Sequence, residues 1–234
     1  MDMKRDYYED VELFSSGVVI FWFGCLLLFL IGFPWWFKNY YVYVANYIAI
    51  NVMVVIGLNI LVGYTGQISL GHAGFFAIGA YGTVILMAKL HLPFLLALPI
   101  SALIAALFGF LLGLPALRLE GPYLAIATLG FGLTITQVIG RVELFGGRQG
   151  LHAPDLIIGP WHLDTDREFY YLVVFITIIM TIAARNLIKT RVGRAFIAIR
   201  DAEIAAETMG VNLVFYKTLA FAVSAFYTGL AGGL

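Results

Sequence analysis

Between Gly57 and Gly82 the segment GLNILVGYTGQISLGHAGFFAIGAYG sets Asn59, Tyr64, Thr65, Gln67, Ser69, His72 and Tyr81 among seven glycines, within a stretch free of Asp, Glu, Lys and Arg from 39 to 88. Amides and hydroxyls exchange hydrogen bonds with a polar solute, and an imidazole can also carry a proton. The commonplace use of the same groups is to bond neighbouring helices together, with glycine allowing close approach. Taken together, the cluster is better explained by a broken helix beside a solute route. The candidates for that route are Asn51, Asn59, Tyr64, Gln67, Ser69 and His72, followed further along by Thr128 and Gln137. For His72 alone, a neutral ring bonded to a neighbouring helix's carbonyl is the more frequent arrangement.

No catalytic constellation accompanies these groups. His72, His91, His152 and His162 are scattered without metal-ligand spacing, and no nucleophile elbow is present. A phosphate-cradling loop needs glycines ahead of Gly-Lys-Ser/Thr, and neither Lys189-Thr190 nor Lys217-Thr218 has a preceding glycine. The single cysteine, Cys25, lies in an apolar run and reads as a small packed side chain. Neither an enzymatic activity nor a cofactor is expected.

The elements that must position the polar cluster are membrane helices. The chain is 62% hydrophobic and 12% charged, outside the range of a soluble domain, and with no basic excess it offers nucleic acid no electrostatic footprint. A crossing takes about 20 apolar residues for a hydrocarbon core of about 30 Å. Spans are expected at about 14–37, 40–62, 67–88, 93–115, 121–140 and 169–188, with a seventh stretch at 218–234. The run from Lys38 to Lys89 is too long for one crossing and must fold back near Gly63 to Gly66. Backbone groups at membrane depth must be satisfied internally, and alternating ten-residue strands are absent. The fold class is therefore all-α, a polytopic bundle with a broken or re-entrant helix, read as one transmembrane domain over 1–234. The seventh stretch stops in TGLAGGL, so further C-terminal helices are expected to be missing. The charged N-terminus precedes an apolar run too long for a signal peptide and is expected to belong to a retained anchor.

Arg185, Lys189, Arg191, Arg194, Arg200 and Lys217 crowd one connector, which the positive-inside rule puts in the cytoplasm. Six crossings back, the N-terminus is cytoplasmic too. The connector at 142–167 then lies outside, where Glu143, Asp155, Asp164 and Asp166 offset Arg148 and Arg167. No span holds a carboxylate at depth, where a charge costs about 2.5 to 3.5 kcal/mol on insertion scales. That removes the commonest device of an ion-coupled pump, so energy is expected from outside the chain.

The connector at 189–217 divides in two. In NLIKTRVGRAFIAIR, Ile188, Val192, Ala195, Phe196 and Ile199 mark one helical face, with the basic residues largely off it; on its own such a face most often rests on lipid headgroups. DAEIAAETMG reads as a short Ala-rich helix with Asp201 and Glu203 at its start and Gly210 as its stop, a knob suited to a partner's groove.

Four segments, GYTGQISLGHAGFFAIGAYG, LRLEGPYLAIATLGFG, GGRQGL and GRAFIAIRDAEIAAETMGVNLVFYKTLAFAVSAFYTGLAGGL, together resemble the inner-membrane permeases of high-affinity branched-chain amino acid ABC importers. The resemblance covers about three quarters of the chain, from residue 57 onward, with the segments in family order. It implies a prokaryotic plasma (inner) membrane system. A periplasmic or lipid-anchored binding protein delivers leucine, isoleucine or valine, two related permeases form the path, and two ABC ATPase subunits drive it. The family's coupling motif falls on Gly193 to Gly210, so Arg200, Asp201, Glu203, Ala205, Ala206 and Gly210 are implied as ATPase-coupling residues. Ala205, Ala206 and Gly210 match its Ala-Ala-x-x-x-Gly core, whereas Ile204 stands where the general pattern has glutamate, with Glu203 one place early. Related importers of urea or other amino acids have similar permeases, and an ion-driven transporter or channel is the competing class.

Overall fold

A computed structural model of the chain describes residues 17–116, 119, 121–142, 145–147, 150–152, 154, 157–158, 161–162 and 165–234. The charged N-terminus and the connector residues Glu143, Arg148, Asp155 and Asp164 lie outside these.

Helices account for nearly all of the described chain. They are α1 (Gly17–Trp36), α2 (Asn39–Leu58) continued by a π-helical turn (Asn59–Tyr64), α3 (His72–Leu90), α4 (Phe94–Ala116), α5 (Pro122–Arg141), α6 (Asp166–Lys189), α7 (Arg191–Asp201), α8 (Glu203–Thr208) and α9 (Leu213–Gly233). Within the 142–165 connector, the two-residue strands β1 (Ile157–Ile158) and β2 (Trp161–His162) pair antiparallel. Among the described residues, six helices are long and apolar enough to cross a bilayer: Asn39–Tyr64, His72–Leu90, Phe94–Pro115, Pro122–Arg141, Asp166–Lys189 and Leu213–Gly233. Large apolar side chains such as Leu103, Leu107, Phe175 and Ile182 lie on the outside of the bundle, as expected where lipid is the solvent. At the α1–α2 corner Trp35, Trp36 and Tyr40 are all exposed. They form the amphipathic aromatic girdle typical of a membrane–water boundary.

The hub is α9. Over half of its span is buried, against a third or less in each of the other five. Between lipid-solvated helices no hydrophobic force drives association, and close backbone packing takes its place. The small residues of AFAVSAFYTGLAGG provide that packing: a Cβ on Gly79 of α3 would overlap the carbonyl of Gly229, and one on Gly109 of α4 would overlap Ala225. Tyr227 closes the α6 side by donating its hydroxyl to the Met180 carbonyl at 3.0 Å.

The first expected span, 14–37, falls on α1 (Gly17–Trp36), which is not among those six, and a second stretch departs further. Residues 67–71, assigned from the sequence to the start of the third crossing, are not helical, and helix resumes only at His72.

Candidate functional site: a helix interruption tied to the connector

The interruption follows from the local sequence. In α2 the repeat loosens into a π-turn over NILVGY, a distortion frequent at functional sites. The chain then turns at Gly66, whose φ is +71°. Freed donors near the break are taken up locally: Gly66 N donates to Val62 O at 3.2 Å, Gln67 N donates to Leu61 O at 3.1 Å, and the Thr65 hydroxyl donates to Leu61 O.

The non-helical segment then lies against α5, and His72 at its end reaches α9. Leu70 N donates to Thr128 Oγ1 at 3.0 Å, and that hydroxyl donates to Ala125 O at 2.9 Å. Gly71 N donates to Ser69 Oγ at 3.4 Å, and Ser69 Oγ lies 3.4 Å from His72 Nδ1. His72 Nε2 is 2.7 Å from Ser224 Oγ of α9, and the ring meets Phe75 edge-on. His72 is buried, so the imidazole is a strut between α3 and α9; its partner is a hydroxyl rather than a carbonyl. Gln67 is also buried, and its Oε1 has no hydrogen-bond partner. Buried acceptors are nearly always satisfied, which marks Gln67 as a side chain in the interruption with spare capacity for a polar visitor.

The remaining candidates are distributed elsewhere. Asn59 and Tyr64, on the other side of the π-turn, line a cavity of about 340 Å³ with Thr181, Arg185 and Lys189 of α6. Asn51 is exposed and donates to its own helix at Tyr47 O, 2.7 Å away, and Gln137 is exposed on α5. The structure thus joins Ser69, His72 and Thr128 in one network with Gln67 beside it in the break, places Asn59 and Tyr64 in a second group, and leaves Asn51 and Gln137 apart. Sequence reasoning passed over Ser224 and Arg185. Ser224 carried a usable signal, since Ser224 and Thr228 sit one turn apart among small residues, the spacing of a close helix interface. Among the described residues no three His, Cys, Asp or Glu side chains gather in a way that would hold a metal ion.

The connector is fastened to this interruption. On α7, Ala195, Phe196 and Ile199 are buried in the protein and Val192 is half-buried, so the apolar face packs on the bundle instead of on headgroups. Phe196 meets Tyr216 of α9 edge-on. Arg200, in the last turn of α7, donates from Nη1 to the Gly63 carbonyl at 2.9 Å. Its Nε and Nη2 donate to Asp201 Oδ1 at 3.0 and 2.9 Å. Ala202 is extended, with φ −159° and ψ 92°, and separates α7 from α8. Asp201 therefore ends α7 instead of opening the Ala-rich helix, while Glu203 is the first residue of α8 and forms an ion pair with the buried Lys217 of α9.

The far end of α8 closes in a compact stop. Gly210, at φ +86°, takes the left-handed conformation that disfavours side chains. Val211 N bonds Ala206 O at 3.0 Å and Gly210 N bonds Glu207 O at 2.9 Å, the paired bonds of a Schellman motif. Ala206 faces inward, whereas Ala205 is exposed and Ile204 and Met209 are 80% and 85% exposed. An α-helical knob with two bare apolar side chains thus stands on charged struts that face the bundle.

Comparison with known proteins supplies the class. The family described as "Branched-chain amino acid transport system / permease component" matches residues 40–234. The "High-affinity branched-chain amino acid transport system permease protein LivM" of Escherichia coli (strain K12) is 35% identical over 236 residues, covering 89% of this chain and 55% of that protein. Its Salmonella typhimurium counterpart of the same name is 34% identical with the same coverage. The "Probable branched-chain amino acid transport permease protein LivM" of Methanocaldococcus jannaschii is 23% identical over 140 residues, 58% of this chain and 41% of that protein. The chain spans about half the length of the relatives it matches over most of its residues. No solved structure matches it. An all-α bundle of apolar helices with this interruption and this connector is a multi-pass membrane protein, and the chain belongs to the permease-component family of branched-chain amino acid transport systems.

Proposed function

We propose that this chain forms part of the membrane pathway of an ATP-driven importer for leucine, isoleucine and valine in a prokaryotic plasma membrane. The chain contributes the path and holds no engine. Two ABC ATPases act on α8 from the cytoplasm, a related second permease completes the pathway, and a periplasmic or lipid-anchored binding protein delivers the solute. The basic residues of the 185–217 segment, on the positive-inside rule, favour a cytoplasmic α8, and the N-terminus is then cytoplasmic as well with α1 as a further crossing ahead of the five that precede α8.

One observation carries the reading: α8 projects Ile204 and Met209 outward while the residues flanking it, Arg200 and Glu203, are bonded to α2 and α9. A knob exposed on its outer side and anchored on its inner side is built to transmit a push. Glu203 acts in this reading as an internal anchor through Lys217, which accounts for a glutamate one place earlier than in the general motif. Docking then falls to Ile204, Ala205 and Met209. Within the membrane, a broken helix with the buried, unpaired Gln67 amide oxygen suits a solute with a polar backbone and an apolar side chain.

The test is reconstitution of the full-length subunit with its companion permease, ATPases and binding protein in proteoliposomes, with Gly210→Asp alongside. The reading predicts leucine uptake that needs ATP. A β-carbon at φ +86° strains the α8 stop, so Gly210→Asp is expected to weaken coupling of hydrolysis to uptake. Uptake by the subunit without any ATPase, or fully coupled uptake by Gly210→Asp, contradicts it.

A further inference from the structure

We propose that Arg200 is the positioning residue that carries movement of α8 into the helix interruption, through its bond to the Gly63 carbonyl; this rests on the importer reading above. The carbonyls at the end of the π-turn have no following helix to bond. Those of Leu61 and Val62 are served from within the turn and its exit, and the Gly63 carbonyl is served by Arg200 Nη1 at 2.9 Å. A guanidinium there also complements the negative end of the α2 dipole.

Three features make this contact more than a cap. Asp201 Oδ1 receives both Nε and Nη2, which fixes the plane of the guanidinium and leaves Nη1 aimed at Gly63. The stem of Arg200 lies on the exit from the turn, since a Cβ on Gly66 would stand 3.2 Å from Arg200 Cγ. Beyond Asp201 the extended residue Ala202 allows α8 to tilt against α7, and Glu203 ties the near end of α8 to Lys217. The α9 helix that bears Lys217 also bears Ser224, the partner of His72 at the start of α3. Four consecutive residues, 200 to 203, therefore hold both sides of the break: the end of α2 directly, and the start of α3 by way of α9. Displacement of α8 changes the gap between α2 and α3, where Gln67 lies.

The geometry needs an arginine. A planar fork with fixed donors serves Asp201 and Gly63 in different directions, whereas a lysine ammonium is a single point on a flexible stem.

The experiment uses the reconstituted full-length importer with Arg200→Gln, Arg200→Lys and Asp201→Asn, measuring leucine uptake, ATP hydrolysis and the amount of ATPase that co-purifies. ATPase binding and hydrolysis are expected to stay within about twofold, while uptake per ATP falls roughly tenfold or more in Arg200→Gln, the scale of a lost charge-assisted hydrogen bond. Arg200→Lys is expected to fail to rescue it, and Asp201→Asn to lie between. Normal uptake per ATP in Arg200→Gln overturns the proposal. Loss of the ATPase from that variant also overturns it, since Arg200 would then be a docking contact. If the unsubstituted importer shows no ATP-dependent uptake, the importer reading fails, and the latch is decided separately from spin-label distances between Thr208 and Ile68, both exposed, in the full-length subunit in nanodiscs. A narrow distribution that broadens in Arg200→Gln, or in Asp201→Asn where the former does not fold, supports the latch; an unchanged distribution refutes it.

Discussion

Breaking the Glu203–Lys217 pair from either side should cost different amounts, because its two halves are unequally buried. The Lys217 side chain retains 10% of its exposure and that of Glu203 39%. Glu203→Gln strands an ammonium inside the junction of α8 and α9. Removing one partner of a fully buried pair costs about 3 to 5 kcal/mol. Water reaches the glutamate side of this pair and screens part of that, so about 2 kcal/mol is expected. Lys217→Met keeps the aliphatic stem and leaves a carboxylate that can turn toward water, which should cost about 1 kcal/mol or less. The double variant should behave like Lys217→Met alone, giving a coupling energy of about 2 kcal/mol. Unfolding of the full-length subunit in mixed dodecyl maltoside and SDS micelles, followed by loss of helical circular dichroism, measures all four corners of the cycle. If Lys217→Met proved the costlier single change, or the two costs simply added, the pair would not be the inner anchor of α8.

Other substitutions test the interruption and the hub. Gly79→Leu places a side chain against the Gly229 backbone and should part α3 from α9, lowering the yield of folded subunit in size-exclusion chromatography; an unchanged yield would mean that the two helices are not in contact. Ser224→Ala removes the hydroxyl at His72 Nε2 and should destabilise by about 1 to 3 kcal/mol, the cost of a stranded buried polar group. A double change with His72→Leu should recover part of that loss in the same unfolding assay, and no recovery would separate the two residues. Thr128→Val, which frees Leu70 N, should speed hydrogen exchange at residues 67–71 without altering exchange in the core of α9.

Much of this was readable from residue type and spacing, and the reasons for the rest are specific. Charge-free runs gave the helices because a bilayer admits little else, and the glycines from 57 to 82 marked a break because so many helix-weakening residues rarely meet in one span. The π-turn was not visible, since its register depends on how Asn59 and Gly63 pack and not on an apolar period. For His72 the frequent arrangement, a bond to a helix carbonyl, is replaced by a bond to the Ser224 hydroxyl 152 residues away, a separation that no local pattern spans. The apolar face expected from Ile188 to Ile199 is split, with Ile188 ending on α6 and Val192 to Ile199 on α7, and whether it met lipid or protein depended on α9 folding back over it. Glu203 was implied as a contact for the ATPase by the family resemblance, not by its neighbours in the chain. Lys217, beyond the turn at Gly210, becomes its ion-pair partner only in three dimensions. Ala202 gave no warning at all: alanine favours helix, and the kink there is set by the anchors on either side.

The claim on which the functional account stands is that α8 meets a cytosolic ATPase through its bare outer face. A photo-crosslinking residue placed at Ile204 in the fully assembled importer tests it directly. The account predicts a covalent adduct with the ATPase subunit on illumination, and adducts confined to lipid or to the binding protein would contradict it.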